Sequence, residues 1–317
     1  MTPRRWLILL SLLIGLPQIA HSATFWVSAS QGSAGSGCVN SATPLTTTAK
    51  ATIAQGIACI VAAGGAPHTL YIRTGTYNER IHPGDYKIPS GTGTGSEALG
   101  AAWPNAITIA SGPGETATIT GANGAAIHIQ DNADLSIPQY IIFDRLIVDR
   151  GETGANLFST GNAFNVRLNA HHIRLQNSTL RNTNEHIIQA ASTTHHIELL
   201  RNDVHTAYIN LYNGTHPTAG NYGMYVNFSN SLIEGNTIHN TTGYGIHLYL
   251  SGGTTVSNNV IRNNTVYGCG YNDGERGDLQ AGMIIASGSG NAVYNNVVHS
   301  NTGLGIQVAY TSGANSI

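Results

Sequence analysis

Leu175-Gln-Asn-Ser178-Thr-Leu180 returns as Leu199-Leu-Arg-Asn202-Asp-Val204, as Ile233-Glu-Gly-Asn236-Thr-Ile238 and as Val293-Tyr-Asn-Asn296-Val-Val298. An apolar residue opens and closes each six-residue unit, and the fourth position is small and polar. Phe143 to Val148 opens and closes the same way, and Val256 to Ile261 fits with Asn259 at its fourth position. Steps between successive first residues are 32, 24, 34, 23 and 37. A second run follows several copies: Gly223-Met-Tyr-Val226, Gly245-Ile-His-Leu248, Gly282-Met-Ile-Ile285 and Gly305-Ile-Gln-Val308. Short strands of alternating apolar residues, separated by Asn and Gly, cannot bury their apolar face alone. Coils stacked on one another bury a continuous core and pair their strands in parallel about 4.8 Å apart. Asn at a fixed turn position tolerates the left-handed conformation and can bond to its counterpart in the next coil, so Asn ladders are expected. The shortest steps read as bare coils, and the longer ones carry insertions.

The pattern extends in both directions. Ile107-Thr-Ile109, Ala117-Thr-Ile119 and Ile127-His-Ile129 read as earlier, less regular coils. Ala49 to Ala63 is a helix candidate with Ile53, Ile57, Ile60 and Val61 on one face, suited to closing the N-terminal end of an apolar tube. Asn315-Ser316-Ile317 reads as the start of another coil, so the C-terminal end is expected to be incomplete or paired with another surface. Arg4 and Arg5, the apolar run Trp6 to Leu16, Pro17 and the small-residue site Ala20-His21-Ser22 read as a cleavable signal peptide over residues 1–22. The expected organisation is one domain over 23–317, with an N-terminal cap over about 24–80 and regular coils over about 105–317. The expected location is extracellular or periplasmic.

These coils, together with Thr69-Leu-Tyr-Ile-Arg-Thr-Gly-Thr-Tyr-Asn-Glu79, resemble the large group of right-handed parallel β-helix proteins that includes pectate lyases and polygalacturonases. The resemblance runs from roughly Thr24 to the end. It implies an all-β, single-stranded right-handed parallel β-helix, a solenoid with a short N-terminal capping helix. It names no reaction. The Asn-Thr-Asp and paired-Asp pattern of polygalacturonases and the Trp-Ile-Asp-His of pectate lyases are absent. Both lysines, Lys50 and Lys87, precede the regular coils, whereas alginate lyases of this fold use a lysine and arginine pair. Gly243-Tyr-Gly-Ile-His-Leu248 is similar to the Tyr-Gly-Phe-Asp-Pro-His segment of mannuronan epimerases without its Asp and Pro, which draws notice to His247.

Composition narrows the partners. Charged residues make up 9% of the chain and Gly numbers 38, while Ile and Val are regularly placed, a poor match to disorder. A formal charge of −2 offers no bulk attraction to nucleic acid or anionic membrane, and no apolar run is long enough to span a bilayer. Of three cysteines, Cys38 and Cys59 are the natural disulfide pair because both lie in the N-terminal segment. Three unpaired core residues are the alternative.

Solenoids carry function on loops projecting from one face. Insertions over Asp149 to His171, His205 to Tyr222 and Arg262 to Ala281 follow the same pattern position, so they are expected on one side, walling a groove. The residue after each copy is Asp149, Arg181, His205, His239, Arg262 or His299, and five of the six can be cationic. Stacked along one edge, they suit the carboxylates of an acidic polysaccharide. His239 as base and Arg262 as carboxylate neutraliser would serve lyase or C5-epimerase chemistry on uronates, with His299 beside them. Solvated turn residues are the plainer explanation of the same column. The loop Gly268 to Asp278 gathers Asp273, Glu275, Arg276 and Asp278, a candidate for acid–base catalysis or a calcium site, or simply a solvated turn. Tyr244, Tyr249, Tyr267 and Tyr271 can stack on sugar rings or serve the strands alone. The expected substrate-binding set is therefore Arg181, His205, His247, Tyr244, Tyr249 and Arg276. A non-catalytic polysaccharide-binding or adhesion module is the alternative function.

Overall fold

The computed structural model describes residues 22–35, 37–64, 67–82, 90–121, 124–130, 137–152, 161–208, 210–212, 216–219, 221–249, 256–271, 281–309 and 314–317. The chain winds through three parallel sheets. Sheet I has nine strands, from Ala23–Val27 through Ile107–Ser111, Gln139–Asp144, His171–Gln176, His195–Leu200, Leu232–Glu234 and Val260–Arg262 to Ala292–Tyr294. Sheet II has eight, from Gly75–Tyr77 through Thr179–Thr183, Asp203–Ala207, Thr237–Thr241 and Thr265–Tyr267 to Val297–His299. Sheet III has seven: Ile127–Gln130, Phe164–Arg167, Ile188–Ala190, Met224–Val226, Ile246–Tyr249, Ala281–Ala286 and Leu304–Ala309. From Ile107 onward each coil contributes one strand to each sheet, and the buried residues form one apolar column running from Phe25 to Val293.

The six-residue unit is the corner between sheets I and II, so it is not one strand. Leu175 closes the interior side of sheet I, Ser178 sits at the corner, and Leu180 resumes the interior in sheet II. Across coils the corner positions form a ladder. The backbone N–H of Asn202 donates to Asn236 Oδ1 at 2.9 Å, that of Asn236 to Asn264 Oδ1 at 2.9 Å, and that of Asn264 to Asn296 Oδ1 at 3.0 Å. Each of these Asn side chains also donates to its successor, so buried amides leave few polar atoms unpaired. The left-handed residue is the one before the ladder: Asn177, Arg201, Gly235, Asn263 and Asn295 have φ between 51° and 67°. The ladder Asn itself supplies the hydrogen bonds.

A second ladder runs through Ser231, Asn259, Asn291 and Asn315 at the corner between sheets III and I. Two Asn corners per coil explain one misphased repeat. Val256 to Ile261 belongs to the second ladder, and the copy in phase with the first is Ile261-Arg-Asn-Asn264-Thr-Val266. Gly223 and Gly245 open sheet III strands where no side chain fits. A Cβ there would lie 2.5 Å from Ile238 Cγ2 and 2.4 Å from Val266 Cγ1, atoms of sheet II across the interior.

The N-terminal end is closed by α1, Ile53–Ala63. Thr52 Oγ1 accepts from Gln55 N at 3.2 Å, and the Glu79 carboxylate accepts from the N–H groups of Ile53 and Ala54, satisfying the free donors of the first turn. Ile53, Ile57 and Ile60 are buried, but Val61 is 43% exposed, so it lies off the covering stripe. Cys59 of α1 is disulfide-bonded to Cys38, and Cys269 is a buried free thiol. At the other end, Ser316 bridges to Ala292 and Asn315 extends the second ladder, beginning a further turn. Leu304, Val297, Val308 and Ile317 are exposed there. Among the described residues no helix is long and apolar enough to cross a membrane.

Candidate functional site

The insertions enter the chain at one place in the coil. They join Leu146–Asp149 to Phe164–Arg167, Asp203–Ala207 to Met224–Val226, and Thr265–Tyr267 to Ala281–Ala286, always between sheet II and the next strand of sheet III. The second insertion includes an antiparallel hairpin, Asn210–Tyr212 with His216–Ala219. Two outer faces border this seam.

On sheet II, Asp149, Arg181, His205, His239, Tyr267 and His299 pair in register from strand to strand. The last four form a stack of rings: His205 to His239 at 4.8 Å, His239 to Tyr267 at 4.9 Å and Tyr267 to His299 at 5.3 Å, each within 10° of parallel. Two members of the expected basic strip have carboxylate neighbours. Arg181 Nε bonds Asp149 Oδ2 at 2.8 Å, and His239 Nε2 lies 3.2 Å from Asp203 Oδ1. Burial lowers the pKa of His205.

Arg262 is not in this column. It lies on sheet I, in register with Glu234 and Tyr294, and its guanidinium bonds Glu234 Oε2 at 3.0 Å and Tyr294 Oη at 3.1 Å. The shared Ile261 of the two overlapping corner units is the reason, and Tyr267 takes the position assigned to it. His239 and Arg262 are thus divided between two sheets. Asp273, Glu275 and Arg276 lie outside the described residues, as do residues 1–21 of the expected signal peptide. Among the described residues no group of three or more His, Cys, Asp or Glu is placed to hold a metal ion.

On sheet III, the third position of each Gly-led run faces outward. In register, His128, Asn165, Gln189, Tyr225, His247, Ile284 and Gln307 form one column. Around Tyr225 and His247 gather Tyr222, Tyr244, Tyr249 and His186. His247 lies 4.8 Å from Tyr222, 5.0 Å from Tyr225, 4.9 Å from Tyr244 and 5.1 Å from Tyr249, centroid to centroid. His186 stacks on Tyr222 at 4.5 Å, and its Nδ1 accepts from Tyr222 N. With Nδ1 an acceptor, the proton of neutral His186 sits on Nε2. Burial pushes His247 down to about 3 and His186 to about 4, and raises Tyr222 to about 12. Among the described residues the buried Nδ1 of His247 has no hydrogen-bond partner. Of these six rings Tyr222, Tyr244 and His247 are buried, and Tyr225, Tyr249 and His186 are half-buried. Tyr244, His247 and Tyr249 were legible in the sequence. Tyr222, Tyr225 and His186 were missed, although Tyr225 occupies the same run position as His247.

A third array lies on sheet I. The rings of His171 and His195 stack at 4.8 Å and those of His172 and His196 at 4.6 Å, while the Nδ1 atoms of His171 and His172, and those of His195 and His196, are 2.7 Å apart. Residues 90–106 lie over it. Glu97 accepts from Tyr140 Oη at 2.6 Å, Gly100 N donates to Glu198, and Arg174 packs its guanidinium 4.1 Å from the Trp103 ring.

Residues 162–317 match the family model described as right handed beta helix region. No curated protein matches the chain in sequence. Among solved structures, pectate lyase Pel9A superposes with a TM-score of 0.56 at 12% identity, over 89% of this chain and 64% of that one. A rhamnogalacturonan lyase superposes with a TM-score of 0.52 at 11% identity, over 92% of this chain and 68% of that one. At these identities the likeness establishes the fold, a right-handed parallel β-helix.

Proposed function

We propose that this right-handed parallel β-helix is an exported polysaccharide-binding protein whose sugar chain lies across sheet III. The observation that carries the reading is the pair of half-buried rings Tyr225 and Tyr249 on neighbouring strands, backed by the buried Tyr222, Tyr244 and His247. Tyr rings combine an apolar face with a hydroxyl, the combination that packs against the C–H face of a pyranose and bonds its hydroxyls. Successive strands are about 4.8 Å apart, so the rings offer a repeated platform to a repeating ligand. The Cys38–Cys59 disulfide, together with the apolar N-terminal segment, supports export to an oxidising compartment.

Action on an acidic polysaccharide, as a lyase or C5-epimerase of uronates, is the second reading. In its favour stand the neutral His247 imidazole, whose lone pair can accept a C5 proton, and fold relatives titled pectate lyase and rhamnogalacturonan lyase. It also requires a cation opposite the carboxylate. Arg262 sits on sheet I bound to Glu234, and Arg181 is bound to Asp149. Binding is therefore the primary reading.

Calorimetric titration with a panel of oligosaccharides, wild type beside Tyr225→Ala, tests it. Tyr225→Ala is expected to weaken the best ligand about tenfold while the circular dichroism spectrum stays unchanged. Equal affinity in both proteins would remove sheet III as the site. Following the absorbance of unsaturated uronates on alginate, pectate and glycosaminoglycans separates the two readings, because only a lyase makes that chromophore.

A further inference from the structure

We infer that the glycan bound across sheet III carries an anionic group, a carboxylate or a sulfate, and that Arg167 is the residue that takes it. The inference rests on the polysaccharide-binding reading and specifies its ligand. Three observations lead to it.

The first is the state of the guanidinium. Arg73, Arg145, Arg174, Arg181 and Arg262 each hold a carboxylate. Arg167 closes the sheet III strand Phe164–Arg167 and is exposed. Among the described residues its bonds go to neutral amides: Nε donates to Asn165 Oδ1 at 3.1 Å and Nη2 to Gln189 Oε1 at 3.0 Å. Those amides are themselves fixed. Asn165 Nδ2 donates to Asn162 Oδ1 at 2.7 Å and to Gln189 Oε1 at 3.0 Å, and Asn162 Nδ2 to the carbonyl of His186 at 2.7 Å. Asn162 and Asn165 are both buried. The guanidinium is thus oriented before any ligand arrives. A planar donor fork held by neutral acceptors keeps its charge for an anion.

The second is the electrostatic setting. His128 stands in register with Asn165 on the preceding strand, Ile127–Gln130. Burial first, and then the charges of His82, Arg167 and Arg80, hold its pKa at about 4. The guanidinium charges that oppose a proton on His128 draw an anion to the same end of the sheet.

The third is the column in which Arg167 stands. Val166 pairs with Ala190, Ala190 with Val226, and Val226 with Leu248. One step further along each chain lie Arg167, Ala191, Asn227 and Tyr249, and the backbone bonds from Ala191 to Val166 and from Asn227 to Ala190 keep them in line. The column therefore runs from the exposed cation, over Ala191 and the buried Asn227, to a half-buried ring. Arg167 and Tyr249 stand three strands apart, roughly 14 Å at strand spacing. One glycan covers that length with its acidic group at Arg167 and a sugar face on Tyr249. The acidic sugar is then not the one beside His247, so Arg167 anchors the chain and takes no part at the imidazole.

The test is a titration of the full chain with oligogalacturonate, oligoguluronate and chondroitin sulfate oligosaccharides, with their carboxyl-reduced or desulfated forms, and with cello- and manno-oligosaccharides. It is run at low and high salt on wild type, Tyr249→Ala, Arg167→Gln and Arg167→Lys. An acidic oligosaccharide is expected to bind best, more weakly at high salt, and about tenfold more weakly both after neutralisation and in Arg167→Gln. Arg167→Lys keeps the charge without the fork and should recover part of the loss. Carboxyl reduction and desulfation tell which anion is read. The exposed Arg167→Gln should unfold at the wild-type midpoint, so its lost affinity reports the guanidinium. Binding led by neutral oligosaccharides, indifferent to salt and equal in wild type and Arg167→Gln but lost in Tyr249→Ala, would overturn the inference while leaving the polysaccharide-binding reading intact. If no glycan binds to a folded wild-type protein, both fall.

Discussion

On sheet I the rings of Tyr140, His172 and His196 pile up strand on strand beneath residues 90–106, and on sheet III Tyr222, Tyr225, His247 and Tyr249 pile up beside the insertion seam. The chemical ingredients are nearly the same. In the first array the polar groups are engaged by the chain itself: Glu97 with Tyr140, Arg174 with Glu198 and the carbonyl of Ala101, Glu198 with Gly100. In the second, Tyr225 and Tyr249 are half-buried above the buried Tyr222, Tyr244 and His247, while among the described residues each array leaves an imidazole nitrogen without a hydrogen-bond partner, His172 Nε2 in the first and His247 Nδ1 in the second. Stacked aromatic columns are thus a by-product of coil register, and what distinguishes a structural one is the segment that closes over it.

The comparison breaks most visibly at Glu198. Arg174 and Glu198 are both buried, and their 2.8 Å ion pair anchors residues 100–101 over sheet I. Glu198→Ala leaves the guanidinium buried without its carboxylate, and a loss of about 3–5 kcal/mol in unfolding free energy is expected by urea titration. Affinity for the sheet III ligand should persist wherever the variant is folded. An unchanged unfolding midpoint would show that this roof is not part of the stable structure.

Acid probes both arrays at once. Burial, then neighbouring imidazoles, holds His171 and His172 near 4 and lowers His195, while burial lowers His196 against the opposing charge of Glu97. His247 is held at about 3. In the unfolded chain a histidine titrates near 6.5, so between that value and the folded ones the unfolded state binds more protons. The stability these neutral rings contribute is complete above about pH 6.5 and declines as pH falls toward about 4. His172→Gln and His247→Gln should each flatten that decline, measured as the unfolding midpoint against pH. Only His247→Gln should also alter glycan affinity. If the two variants behave alike in binding, the distinction between the arrays is lost.

The fold was readable because its period is written in residues with turn chemistry. Asn202, Asn236 and Asn296 stand at corners where an amide can bond to the next coil, and few other architectures repeat that requirement. The phase failed in one coil, because Asn259 and Asn264 satisfy the same pattern at two different corners, and the sequence does not say which sheet follows. Of the candidate site, His247 and Tyr244 were visible through the Gly-led runs. His186 was not, since its contact with Tyr222 crosses 36 residues and an insertion. The sheet I roof was equally hidden. His171-His172 and His195-His196 recur 24 residues apart, but nothing near them announces that Glu97 and Trp103 will arrive from a segment before the regular coils.

Arg262 gives the smallest expected effect and the sharpest check on the corrected phase. If it belonged with His239 in one cationic strip, Arg262→Gln would weaken a ligand bound along sheet II or III. In the structure its guanidinium is occupied on sheet I, bonded to Glu234, whose pKa is lowered chiefly by that hydrogen bond. The pair is partly exposed, with side-chain exposures of 33% and 26%, so screening by solvent limits its worth to less than about 1 kcal/mol. Arg262→Gln should therefore shift the unfolding midpoint slightly, leave glycan affinity unaltered, and return Glu234 toward the ordinary carboxylate range, a change measurable by NMR titration. A several-fold loss of affinity in this variant would place the guanidinium back at the ligand and undo the assignment of Arg262 to sheet I.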